Sequence, residues 1–264
     1  MSTDSKGFAI VTGASSGIGE VYAERLAERG YDLILVARRL DRLEALGRKI
    51  TERTGRKVET LQADLTLRSD LAKVEERLAS DASITLLVNN AGISLDGSLL
   101  ENGSPAIEKI LAINTVAPTI LTAVAAKAFV ARNNGGIINI ASVLAFVPEM
   151  FDGIYSGTKA HLLNVTLSLA EKLKGTGVHA QAVLPGATRS EIWENSGKDV
   201  DAMLPGMVME TADLVDAALL GYDRGEVVTI PPLHDEAQFE AYNAARLAMG
   251  PNLSRKEVAP RYRR

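Results

Sequence analysis

The chain has 264 residues, 46% of them hydrophobic and 23% charged, with a formal charge of -4 at pH 7 and no cysteine. That balance is ordinary for a soluble globular protein with a substantial core. It gives no general affinity for nucleic acid and rules out disulfides, thiolate catalysis and cysteine metal sites. No apolar run reads as a membrane span, and the polar start Met1 to Lys6 lacks the apolar centre of a signal peptide, so the expected location is the cytoplasm.

Phe8 to Thr12 reads as a strand that breaks at Gly13, and Ile18, Val21, Tyr22 and Leu26 then fall on one side of a helix ending at Gly30. The turn between them, Thr12-Gly13-Ala14-Ser15-Ser16-Gly17-Ile18-Gly19, has the spacing G-x-x-x-G-x-G. Glycines there let backbone N–H groups approach a pyrophosphate at a helix N-terminus; a tight strand-to-helix turn would need them for steric reasons alone.

Asp32 to Ala37 predicts a second, buried strand with Arg38 and Arg39 directly after it. In a dinucleotide fold an acidic residue at this point holds a ribose 2′-hydroxyl, whereas arginine accommodates a 2′-phosphate. The two arginines either do this or begin the solvated face of the next helix, Asp41 to Arg53. With no acidic residue at the strand end, NADP(H) is the favoured cofactor.

Val58 to Leu61 is a third strand leading to Asp64-Leu65, followed by a helix from Arg68 to Leu78. A fourth, Ile84 to Val88, runs into Asn89-Asn90-Ala91-Gly92, where side-chain amides can lock a loop and small residues can admit a flat ligand, or which is simply a turn. Ser104 to Arg132 has helical composition with Pro118 one turn after Asn114, so the helix should bend there and expose Asn114 or its carbonyl. Strand Ile137 to Ala141 delivers Ser142 at its end, where ligands collect in open α/β sheets.

Tyr155 and Lys159 lie four apart on a helix from about Tyr155 to Lys174, hence on one face. A free phenol has a pKa of about 10, and a neighbouring ammonium can lower it by roughly two to three units toward neutrality. By itself the pair also fits a half-buried tyrosine beside a solvated lysine. The helix is apolar over most of its girth, which predicts an oligomer packed through it.

Val178 to Leu184 is a sixth strand, and Pro185-Gly186-Ala187-Thr188-Arg189-Ser190 opens a segment, about 186–209, read as a substrate lid. Arg189 there could meet an anionic group. Thr211 should cap a helix Ala212 to Tyr222, and Val227 to Ile230 supplies a seventh strand. An amphipathic helix, Asp235 to Met249, forms an appendage over about 233–264. With no repeat or linker, residues 1–264 read as one dinucleotide-binding catalytic domain, α/β in class.

Taken together over roughly residues 7–232, these features resemble the short-chain dehydrogenase/reductase family. Its T-G-x-x-x-G-x-G turn falls on Thr12 to Gly19, its adenine-contacting aspartate on Asp64 beside Leu65, and its N-N-A-G turn on Asn89 to Gly92. The catalytic set falls on Asn114, Ser142, Tyr155 and Lys159, and the turn beside the nicotinamide on Pro185 and Gly186, continuing through Thr188. Where the family usually has threonine, Ser190 stands. The resemblance implies a single Rossmann-like doubly wound domain, with a seven-stranded parallel sheet of order 3-2-1-4-5-6-7 and helices on both faces, and usually a homodimer or homotetramer. The basic pair after strand two resembles the NADP(H)-preferring branch.

The resemblance also implies the chemistry of a carbonyl/alcohol oxidoreductase. Tyr155 would be the general acid/base and Ser142 would hold the substrate oxygen. Lys159 would lower the tyrosine pKa and bind the nicotinamide ribose, and Asn114 would anchor a water linking Lys159 to solvent. Two other readings are a non-catalytic NADP(H)-binding redox sensor and an epimerase or dehydratase with a tightly held cofactor. His161, His179 and His234 are in no metal-ligand spacing. Candidate pocket walls, Ser94 to Leu100, Val143 to Gly153 and the lid, bring Phe146, Val147, Met150, Phe151, Trp193, Met203 and Met207, and suggest a largely apolar small-molecule substrate.

Overall fold

Six consecutive buried residues, Asp32–Ala37, need cover on both faces, and the chain supplies it with helices above and below one parallel sheet. The computed structural model describes residues 5–97, 99–190 and 200–263. Its strands are β1 (Phe8–Thr12), β2 (Asp32–Ala37), β3 (Val58–Gln62), β4 (Ile84–Asn89), β5 (Gly135–Ile140), β6 (Val178–Val183) and β7 (Val228–Thr229). They pair in the order β3-β2-β1-β4-β5-β6-β7, every pair parallel. The order reverses between β1 and β4, so the two loops after these strands part and leave a crevice at the carboxyl edge.

Helices α1 (Gly17–Glu28), α2 (Leu40–Thr54) and α3 (Arg68–Ser80) connect the first four strands. Then come α4 (Ser104–Leu111), a π-turn (Ala112–Val116), α5 (Ala117–Arg132), α6 (Gly153–Leu173), the single turn α7 (Val200–Met203) and α8 (Thr211–Asp223). One core cluster packs Tyr22, Leu26, Leu43 and Ile50 of α1 and α2, with Val215 and Leu219 of α8, on Val11, Leu35 and Val88. The other packs Leu71, Val74, Ile113, Leu121 and Phe129 on Ile10, Ile34, Leu87 and Ile137.

The chain divides into two compact units, Met1–Pro231 and Pro232–Arg264. The second holds α9 (Glu236–Met249), capped by Asp235, whose carboxylate accepts from the Ala237 amide; none of its helical residues is buried, and Phe239 stacks with Tyr242.

Several boundaries differ from the sequence reading for identifiable reasons. β5 starts at Gly135, because backbone pairing with Val178 extends through two glycines that carry no hydrophobic signal. At Gly136 a Cβ would stand 1.7 Å from Tyr222 Oη, so glycine is what lets α8 close on the strand. β7 is two residues rather than four, the length over which it finds β6. Thr211 is not the cap of α8: Glu210 holds that position, and the Thr211 hydroxyl bonds the Arg189 carbonyl instead. Finally, Ser104–Arg132 is long and apolar enough to cross a membrane by length and composition, although no such run was apparent in the sequence. It lays Ile110, Ile113, Ala117, Leu121, Ala125 and Phe129, all buried, into the core.

Candidate active site

The crevice at the carboxyl edge is a cleft of about 540 Å³. Gly13, Ser15, Ser16, Gly17 and Ile18 form one wall, Arg38 and Arg39 the end beyond β2, Asp64 and Leu65 the end beyond β3, and Asn90, Ala91 and Gly92 the wall beyond β4. Ser190 lies over the glycine turn, 3.3 Å from where a Cβ on Gly17 would be. Gly13 and Gly17 take φ of +67° and +56°, which side chains other than glycine's resist.

Gly19 serves the turn differently. A Cβ there would meet the Gly13 carbonyl at 2.3 Å and Asn90 Nδ2 at 2.5 Å, so its missing side chain lets α1 rest on the turn. Asn90 Nδ2 donates to the carbonyls of Thr12 (3.0 Å) and Gly13 (3.3 Å). The Thr12 hydroxyl accepts from the Asn90 and Ala91 amides, both at 3.0 Å, and donates to Val88 O. Both sides of the crevice are thereby held at fixed spacing.

The donors fit a phosphorylated dinucleotide. Ser16 at the start of α1 makes no side-chain cap, which leaves the first helical amides uncapped by the side chain that usually serves them. Its hydroxyl instead accepts from Arg39 Nη2 at 2.9 Å, and Ser15 Oγ from the same nitrogen at 3.0 Å. At the far end the Asp64 carboxylate accepts from the Thr66 amide (3.0 Å) and hydroxyl (2.7 Å). Burial works to raise its pKa, but the Thr66 bonds and the charges of Arg38 and Lys109 outweigh it and hold the carboxyl below its usual range.

Asn114, Ser142, Tyr155 and Lys159 are not part of the cleft lining; Asn114 and Lys159 lie directly behind its Gly92 wall. Asp152 caps α6 by accepting from the Tyr155 amide at 2.9 Å, which fixes the turn that carries the phenol. The phenol bonds Ser142, and its ring meets Phe151 edge-on at 5.9 Å between centroids. Lys159 is buried; its Nζ donates to the Ile140 carbonyl at 2.8 Å and lies 5.6 Å from the centre of the Tyr155 ring. Asn114 sits in the π-turn. Pro118, four residues on, has no N–H to give the Asn114 carbonyl, so an ordinary α-turn could not be completed there. A Cβ on Gly92 would stand 3.1 Å from Asn114 Oδ1 and 3.6 Å from Lys159 Nζ, so the cleft wall abuts both residues.

The electrostatics differ from the sequence expectation. Burial pushes the Tyr155 phenol up to about 12, against a smaller lowering by the Ser142 bond, and burial pushes Lys159 down to about 8. The ammonium lies over the ring and loses its proton before the phenol does, so as the structure stands it does not bring the phenol toward neutrality. Desolvation, which helix spacing does not encode, dominates both shifts.

Thirteen residues expected at the cofactor line the cleft; Gly19, Tyr155, Lys159, Pro185, Gly186 and Thr188 do not. Pro185 accepts from the Val143 amide at 3.0 Å, which places the Pro-Gly turn beside Ser142, and Thr188 is buried with its hydroxyl on Gly186 O. Arg189 is already paired with Asp201 and with Glu210, the latter at 2.8 Å, so it is committed to joining the two ends of the lid segment and not to an anionic ligand. Trp193 lies outside the described residues. The cleft also takes in Ser94 and Asp96, from the segment expected as a pocket wall, and Thr66, Lys109 and Ile113, which the sequence reading did not assign to it; Lys109 and Ile113, four apart on one helix face, were the available signal.

The family model for short chain dehydrogenases matches residues 7–201. The chain belongs to the short-chain dehydrogenase family. It is similar to a short-chain dehydrogenase from Sphingobium yanoikuyae solved in complex with NADPH, at 48% identity and a TM-score of 0.93, over 97% of this chain and 100% of that one. It is also similar to the bulky-bulky ketone specific alcohol dehydrogenase from Comamonas testosteroni, at 41% identity and a TM-score of 0.90, over 98% and 99% of the two chains. Among sequence relatives, 17-beta-hydroxysteroid dehydrogenase type 3 of Homo sapiens is 34% identical over 68% of this chain, which spans 58% of that relative's length.

Proposed function

We propose that the protein is an NADP(H)-dependent oxidoreductase that interconverts a ketone or aldehyde and an alcohol. The observation that carries this is the grouping of Ser142, Tyr155, Lys159 and Asn114 behind the Gly92 wall of a cleft that also presents Arg39 on two serines. The NADPH complex of the Sphingobium yanoikuyae relative supports the cofactor, and Arg38 and Arg39 support its phosphorylated form.

Bound in the cleft, the dinucleotide supplies the hydride that the side chains cannot. The glycine turn and the amides at the start of α1 would hold its pyrophosphate, Arg39 with Ser15 and Ser16 its 2′-phosphate, Asp64 and Leu65 its adenine, and Lys159 the nicotinamide ribose. Pro185, Gly186, Thr188 and Ser190 would flank the reacting ring. Ser142 would donate a hydrogen bond to the substrate oxygen, and Tyr155 would deliver the proton. Burial keeps the Tyr155 phenol protonated at neutral pH, as a proton donor to a carbonyl oxygen must be.

Leu99, Leu100, Val147, Met150, Met203 and Met207 are exposed apolar side chains in the segments that follow β4, β5 and β6. They support a bulky apolar substrate, as does the ketone named for the Comamonas testosteroni relative. On α6, Leu162, Leu163 and Leu173 are spent on the core, and half-buried Ala160, Val165 and Ala170 remain to support a homodimer or homotetramer.

The test is NADPH oxidation by the purified protein with a panel of bulky ketones and aldehydes, with NADH and Tyr155→Phe as controls. Turnover that prefers NADPH and needs Tyr155 supports the reading. NADPH binding with no turnover across the panel would count against it and in favour of a redox sensor.

A further inference from the structure

Thr158, the residue before Lys159, is 2% exposed and has no part in the chemistry described above. Its hydroxyl donates to the Tyr155 carbonyl at 2.7 Å and accepts from Asn114 Nδ2 at 3.2 Å. Asn114 in turn accepts at Oδ1 from the Ile93 amide (2.9 Å) and donates from Nδ2 to the Ile93 carbonyl (2.8 Å). One hydroxyl therefore joins the Tyr155 turn of α6, the π-turn and the loop beyond β4.

The polarity of this chain is determined at both ends. The Thr158 proton is committed to a carbonyl, so only lone pairs face Asn114, and only the NH₂ end of that amide can answer them. The Ile93 amide is a donor and requires Oδ1. With both Nδ2 hydrogens used, the Asn114 side chain has none left to donate, and its orientation cannot flip without stranding buried donors.

We propose that Thr158 is a positioning residue for the reaction: it fixes the Asn114 amide and the first turn of α6 so that Tyr155 and Lys159 keep one geometry against the cleft. The inference rests on the oxidoreductase reading. Nothing else among the described residues supplies both a donor to Tyr155 O and an acceptor to Asn114 Nδ2. Thr158→Val keeps the shape and removes both functions, Thr158→Ala removes shape as well, and Thr158→Ser keeps the hydroxyl.

The test compares these three variants at saturating NADPH with a turned-over ketone, across pH. The valine and alanine variants should lose about 10- to 100-fold in kcat with both KM values within about threefold of wild type, and their pH profiles should shift. The serine variant should regain wild-type kcat and profile. Amide exchange of cofactor-free protein is the independent readout: the Ile93 N–H should exchange at least about tenfold faster in the valine and alanine variants and stay protected in the serine variant. Wild-type kcat and pH profile in both non-hydroxyl variants would overturn the proposal, as would a serine variant as impaired as alanine. If the wild-type protein reduces no carbonyl, the functional reading fails by itself, and unchanged Ile93 protection in the valine variant then separately overturns the role of Thr158.

Discussion

Arg39 folds back from the end of β2 so that one guanidinium nitrogen bonds both Ser15 and Ser16 of the glycine turn, at 3.0 and 2.9 Å. Its neighbour Arg38 is exposed and acts at longer range on Asp64. The two arginines that looked equivalent in the sequence therefore have separate surroundings, one at the phosphate end and one at the adenine end.

Arg39→Ala should raise the Kd for NADPH by about 10- to 100-fold, since hydrogen bonds to a charged group are worth about 1.5–3 kcal/mol, and should leave NADH almost unaffected. Arg38→Ala should weaken NADPH less. Fluorescence titration of both cofactors checks this, and equal losses for NADPH and NADH in the Arg39 variant would contradict it.

Tyr155→Phe keeps the edge-on contact with Phe151 and removes the proton donor and the bond to Ser142. Turnover should fall by about 10²- to 10⁴-fold while NADPH affinity stays within about threefold. Steady-state kinetics beside a binding titration measures both, and retained turnover would exclude Tyr155 as the acid.

Lys159 gives the pH dependence a definite sign. Its pKa, lowered by burial from 10.5 to about 8, makes the ammonium available below that pH, so carbonyl reduction should decline as pH rises past about 8. For stability the direction is opposite. Between about 8 and 10.5 the unfolded chain holds a proton that the folded chain has lost, so stability rises with pH across this window and the cost of the buried ammonium is greatest below it. Lys159→Met should therefore be inactive yet more stable at pH 7 by up to roughly 3 kcal/mol, an advantage that shrinks toward pH 10.5. Thermal melts of both proteins at pH 7 and 10 give the comparison; a gap that widens with pH would contradict it.

Gly19→Ala places a methyl 2.3 Å from the Gly13 carbonyl and 2.5 Å from Asn90 Nδ2, so either α1 moves or the Asn90 bonds break. A loss of about 1–3 kcal/mol in stability is expected from overpacking, together with weakened NADPH binding. Gly157→Ala, where a Cβ meets nothing within 4 Å, is the control: it should leave NADPH binding unchanged and should not lower stability, since alanine favours the helix over glycine.

The strands were legible wherever hydrophobic runs are continuous and end at turn residues, as in Phe8–Thr12 and Asp32–Ala37, whose bounds the structure repeats. They were less so where pairing rests on glycine, as at Gly135 and Gly136, because backbone hydrogen bonds leave no mark on side-chain type. The same limit applied to the site. Motif spacing brought Tyr155, Lys159, Ser142 and Asn114 together on the page, while Lys109 reaches the cleft from a helix whose spacing carries no motif.

By itself the sequence determined the order of elements, the glycine turn and the identity of the polar groups that end at the carboxyl edge, because hydrophobic period and turn chemistry are local properties. Tertiary structure alone decided that Arg189 is consumed by Asp201 and Glu210, that burial sets the pKa values of Tyr155 and Lys159 in opposite directions, and that Thr158 bridges Tyr155 to Asn114. Each depends on what surrounds a group in three dimensions, and solvation and hydrogen-bond partners come from residues far away along the chain.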